Sequence, residues 1–87
     1  MKYKTVPGVV LTSVCGSHFL VSSKNTMQVN ETVVFYWKRL EHGASEEELI
    51  EAAKEQYEID DMGTLQQDIG HILHSLMEMH MLKRSKE

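Results

Sequence analysis

The sequence predicts an α+β fold: a three-stranded antiparallel sheet followed by three helices. Three observations predict it. The first thirty residues read as extended structure, rich in β-branched side chains and broken by small polar turns. At Asn30 the apolar period changes from two to about 3.6, the helical value. No Pro/Gly/Ser-rich stretch or internal repeat divides the chain, so residues 1–87 form one domain with a core over about 8–82.

The first strand is Val9-Val10-Leu11-Thr12-Ser13-Val14, which stops before Gly16. His18-Phe19-Leu20-Val21-Ser22 resumes the extended pattern, so Cys15-Gly16-Ser17 is expected to be a hairpin loop. Ser22-Ser23-Lys24-Asn25 is a second polar turn, and Thr26-Met27-Gln28-Val29 is the third strand. Met27 and Val29 share one face and Gln28 takes the other. Three strands with a single apolar face need a helical layer to cover it.

Asn30 is a suitable N-cap, and Glu31 matches the positive end of the helix dipole. The first helix runs to about Glu41 with Val33, Trp37 and Leu40 on one stripe, Val34 beside it, and Gly43 closing it. Ser45 followed by Glu48 is a capping box for the second helix, whose inward stripe is Leu49, Ile50, Ala53 and Tyr57. Asp60, Asp61 and Gly63 are a connector. The third helix begins near Thr64 and carries Leu65, Ile69, Ile72, Leu73, Leu76 and Met79 at helical spacing. Leu82 is expected to fold back on the core, and Lys83 to Glu87 to form a frayed polar tail.

Composition excludes several classes of function. The 87 residues are 41% apolar and 25% charged, with net charge −4. The longest uninterrupted apolar run is Val33–Trp37, far short of the ~20 residues that span a bilayer. The N-terminal residues lack the apolar block of a signal peptide. The lone Cys15 forms no disulfide framework, which points to a cytoplasmic protein held by its core. Residues 45–61 hold eight acids against Lys54, a balance of −7, and no basic stripe offsets them. Such a surface repels phosphate backbones, so nucleic acid is a poor partner.

Chemistry-bearing clusters are equally sparse. No paired acids, triad or phosphate loop marks an enzyme, and nothing calls for a cofactor. His71, His74 and Glu78 share a helix face and His80 follows, but no further ligand is spaced to complete a structural metal site; they read as surface histidines. Cys15 has no neighbouring His to activate it, and Trp37 reads as a core anchor.

One resemblance gives the pattern a meaning. Val29-Asn30-Glu31-Thr32, then Trp37, Gly43, a capped acidic helix ending in Tyr57, Asp68-Ile69, Ile72-Leu73, Leu76 and Leu82 follow one another as in the PqqD-like family. That family is named for pyrroloquinoline quinone biosynthesis protein D and includes recognition elements for ribosomally made, modified peptides. The resemblance covers roughly residues 8–82. It departs in two places: the Asp-Gly turn after the first helix reads Glu41-His42-Gly43-Ala44, and His80 stands where members often carry Gly. The first favours a stand-alone relative serving another peptide.

The resemblance implies a winged helix-turn-helix-like fold without catalysis of its own. It captures the leader segment of a precursor peptide and presents it to a modifying enzyme, often a radical S-adenosylmethionine (SAM) maturase. The leader adds as a strand on Thr26, Met27, Gln28 and Val29 and lies against a wall of Leu65, Asp68, Ile69 and Ile72. Asp68 is placed to meet a basic leader side chain. The strand itself agrees, since it holds no Pro or charge to block an added strand. An open edge leaves both monomer and homodimer possible. The alternative is a winged helix-turn-helix DNA-binding regulator. The third helix argues against it, with Gln66 and Gln67 but also Asp68 and Glu78, and no Lys or Arg before Lys83.

Overall fold

The computed structural model describes residues 2–85. The elements in order are β1 (Lys2–Thr5), β2 (Val10–Val14), β3 (Ser17–Val21), β4 (Thr26–Val29), α1 (Glu31–Leu40), α2 (Glu46–Gln56), α3 (Met62–Glu78) and β5 (Leu82–Ser85). The expected antiparallel sheet is present with strand order β2-β3-β4. Its inner face presents Leu20 and Val29, both buried, with Leu11 and Met27 packed beside them. These meet Trp37, Leu40, Leu49, Ile69, Leu73 and Leu76 from the three helices in one continuous core.

The strand ends follow from turn chemistry. Val14 pairs with Ser17, so the first hairpin loop is only Cys15-Gly16, and Ser17 belongs to β3. Both loop residues have positive φ, at 50° and 81°, as a two-residue loop matching the sheet twist requires. At the second turn Ser22 Oγ accepts from the Lys24 and Asn25 amides, and the Ser22 amide donates to the Asn25 carbonyl at 2.8 Å.

The helix starts are as local chemistry dictates. Asn30 Oδ1 accepts from the Val33 amide at 2.9 Å. Ser45 and Glu48 form both halves of the capping box. The third helix starts earlier than expected: Asp61 is its N-cap, Gly63 lies inside it, and Asp61 Oδ1 accepts from the Gly63 and Thr64 amides. Tyr57 is a further correction. α2 ends at Gln56, and Tyr57 is 43% exposed, its ring edge-on to Phe35 at 5.4 Å rather than in the core. Tyr36, on α1, is buried.

Two caps carry carboxyls held below their ordinary values. Glu48 is lowered from 4.5, first by the Ser45 amide and then by the charge of Lys2, whose Nζ lies 3.6 Å away. Asp61 is lowered from 3.8 by the Thr64 hydroxyl and then by the Thr64 and Gly63 amides. Because the unfolded chain takes up these protons first as pH falls, the stability they confer is complete above the ordinary values. It is lost as pH drops through the lower folded ones. The urea midpoint should therefore fall as the pH is lowered below about 5, and the fall should be smaller in Glu48→Gln/Asp61→Asn.

The largest departure from expectation is at the ends of the chain. Lys83, Arg84 and Ser85 are not a frayed tail but, with Leu82, the strand β5, paired antiparallel with β1 in the register Lys2↔Ser85 to Thr5↔Leu82. (The expectation for Lys86 and Glu87 lies outside the described residues.) Leu82 is buried, as expected. β1 is held on its other side by Tyr3, which exchanges backbone bonds of 2.8 and 2.9 Å with Ala44 in the α1–α2 turn.

His80 makes this return possible. It has φ of 60°, the left-handed conformation that usually selects glycine after a helix. Its amide donates to the Met77 carbonyl, and the Met81 amide donates to the Leu76 carbonyl at 2.9 Å. This is a Schellman ending, completed by the burial of Met81 and Leu76. A side chain with Cβ is strained there, so His80→Gly should stabilise the domain by about 1 kcal/mol in urea unfolding.

Candidate peptide-binding site

β4 is an edge strand of the three-stranded sheet. Which of its backbone groups face outward follows from the hairpins. Val14 and Ser17 flank a two-residue loop, so β3 directs the amides and carbonyls of Ser17, Phe19 and Val21 toward β2. Those of His18 and Leu20 then face β4, where their partners are Val29 and Met27. Thr26 and Gln28 therefore turn their N–H and C=O groups to the open side. Their side chains are exposed on the outer face, while Met27 and Val29 point inward.

Beside this edge runs a groove between the start of α1 and one face of α3. Its apolar part is lined by Met27, Val33, Ile72 and Leu76, with the exposed His71 and Ser75 at the rim, and encloses about 140 Å³. It continues past Val33, His71 and Ile72 into a more polar stretch of about 350 Å³ lined by Asn30, Thr32 and Asp68. Asp68, His71, Ile72 and Ser75 lie at helical spacing, so α3 presents one stripe along the groove. That stripe rises ~10 Å from Asp68 to Ser75, the length of about three extended residues. Buried Tyr36 stands near its polar end. Its hydroxyl is pushed above the ordinary tyrosine value by burial, then by Tyr57 and by the charge of Asp68.

The structure thus separates the residues expected from sequence into two groups. Met27, Asp68 and Ile72 line the groove, and Thr26 and Gln28 offer the open backbone. Val29, Leu65 and Ile69 are buried in the core, with Ile69 fully inaccessible. Val33, His71 and Ser75, which lie outside the expected set, also line this groove, with the buried Leu76 at its floor. For His71 and Ser75 the signal was present in the i, i+3, i+4, i+7 pattern from Asp68, read toward the solvent side of the apolar stripe; Val33, on α1, had none. The other histidines are elsewhere, with His74 Nε2 3.2 Å from Glu78 Oε1 on the helix surface.

Two solved structures share the fold. One is "TbiB1 in Complex with the TbiA(beta) Leader Peptide", with TM-score 0.78 and 21% identity over 97% of this chain and 99% of that one. The other is "Lasso peptide synthetase B1 complexed with the leader peptide", with TM-score 0.76 and 21% identity over 94% of this chain and 98% of that one. No curated protein sequence matches the chain. The family model described as Coenzyme PQQ synthesis protein D covers residues 17–82, from the start of β3 through α3 to Leu82, and so takes in the open edge, the groove and its wall. By that match, the chain belongs to the PqqD family.

Proposed function

We propose that this protein is a peptide-binding adaptor. It captures the leader segment of a ribosomally made precursor peptide and presents it to a modifying enzyme, a radical SAM maturase in the simplest case. One observation carries the reading: an edge strand with outward backbone groups at Thr26 and Gln28 lies beside an apolar groove on α3. Strand addition supplies affinity through main-chain bonds, and the groove supplies selectivity through alternate side chains. Membership of the PqqD family supports the role, and so do two structural relatives whose names describe leader-peptide complexes.

In this arrangement Met27, Val33 and Ile72 receive an apolar leader side chain, and Asp68 meets a basic one. The adaptor performs no chemistry itself; it raises the local concentration of the peptide at the enzyme. The exposed free thiol of Cys15 suits a reducing cytoplasm. DNA reading is disfavoured because the exposed face of α3 offers Gln66, Gln67 and Asp68 without a Lys or Arg.

The test is a fluorescence-anisotropy titration with labelled leader peptides encoded beside this gene. Saturable binding is expected, and Ile72→Glu should weaken it by about tenfold, because the variant places a charge in the apolar groove. If none of these peptides binds, the adaptor reading is wrong.

A further inference from the structure

The opposite edge of the sheet belongs to β2, and nothing in its sequence protects it. Val10-Leu11-Thr12-Ser13-Val14 carries no charge and no Pro, the usual guards of an exposed edge. By the same ladder logic, Val10, Thr12 and Val14 turn their backbone groups toward β3, which leaves the N–H and C=O of Leu11 and Ser13 facing outward. Among the described residues, the two most exposed large apolar side chains are also here: Val10 at 59% and Val14 at 56%, both on the outer face. Phe19 and Val21 extend that face on β3.

We propose that β2 pairs antiparallel with β2 of a second copy of this chain, about a two-fold axis through Thr12. The outer face of the strand reads Val-Thr-Val in both directions, so it is its own complement. In this register Val10 faces Val14 of the second copy at both ends, and Thr12 faces Thr12. Leu11 and Ser13 exchange the outward hydrogen bonds with Ser13 and Leu11 of the second copy. The absence of charge on the strand means that the pairing brings no like-charged side chains opposite one another. The result is a six-stranded sheet with β4 at each end, so both peptide-binding edges stay open. One short strand per protomer buries far less than the ~800 Å² per partner of a standard interface, so the dimer is weak and concentration-dependent.

Sedimentation velocity from about 10 to about 500 µM is the first measurement, a range chosen for an interface of this size. The dimer fraction should rise with concentration. Thr12→Lys, which sets two like charges opposite each other, should raise the dissociation constant at least about tenfold, with unchanged far-UV circular dichroism and leader affinity. Thr12→Cys in a Cys15→Ser background should form an intermolecular disulfide under mild oxidation. Its Cα atoms would lie ~4.5 Å apart in a non-hydrogen-bonded pair. A protein monomeric throughout this range, a dimer indifferent to Thr12→Lys, or no disulfide in the cysteine variant would overturn the proposal. So would a leader peptide that dissociates the dimer, because β2 would then be the edge that accepts the peptide.

Discussion

Gln28→Pro is expected to weaken leader binding by roughly 10- to 100-fold while leaving the domain folded, a loss of about 1.4–2.8 kcal/mol. The reasoning is specific to one position. The Gln28 amide faces the open side of β4, so proline removes a donor that the sheet itself does not use. It also places a ring where the added strand must approach. The residue before a proline is confined to extended conformations, and Met27 is already in a strand. Met27→Pro is the contrasting variant: its amide faces Leu20, and its loss should break the β3–β4 ladder and unfold the domain. Anisotropy titration together with thermal melting separates the two effects. If a folded Gln28→Pro binds with native affinity, the leader does not add on this edge.

Trp37→Ala should produce the largest loss of stability, about 3–5 kcal/mol, by emptying the centre of the core. Trp37 is fully inaccessible, and the core around it draws on the sheet, all three helices and β5. A domain of this size has only ~4–13 kcal/mol in total, so the variant should be partly unfolded at 37 °C. Trp37 also has a flaw: its indole N–H is buried without a hydrogen-bond partner among the described residues. An unpaired buried donor costs about 1–3 kcal/mol, which Trp37→Phe relieves while leaving a smaller cavity. Trp37→Phe should therefore lose no more than about 2 kcal/mol. Urea unfolding followed by circular dichroism checks both values, and equal losses in the two variants would refute this account of the indole.

Much of the fold was legible because it is written in local chemistry. Asn30 and the Ser45–Glu48 pair start helices through side-chain bonds that reach only three residues, so sequence neighbours suffice to identify them. The hairpins were visible in β-branched runs punctuated by Gly16 and by Ser22–Asn25. β5 was not, because Leu82-Lys83-Arg84-Ser85 has a polar composition and its partner lies about eighty residues away in the chain. Two residues in left-handed conformations, Cys15 and His80, also went against the sequence signal, since glycine is the usual marker of such positions.

The candidate site was half legible for a geometric reason. Alternation along β4 separates Met27 and Val29 from Thr26 and Gln28, and the absence of charge marks the edge as open. Helical periodicity finds the apolar stripe of α3 but gives its centre, Ile69 and Leu73, more weight than its flank. The flank at Asp68, His71, Ile72 and Ser75 becomes a groove only because the start of α1 stands opposite it. That is a tertiary fact with no local signature.

The antiparallel pairing of β1 with β5 sets Lys2 directly across from Ser85. A module whose first and last strands lie side by side can be spliced into a surface loop of an enzyme without stretching the host backbone. By the same token, joining the ends through a short Gly/Ser tether and opening the chain at the Cys15-Gly16 tip should yield a circular permutant that still folds.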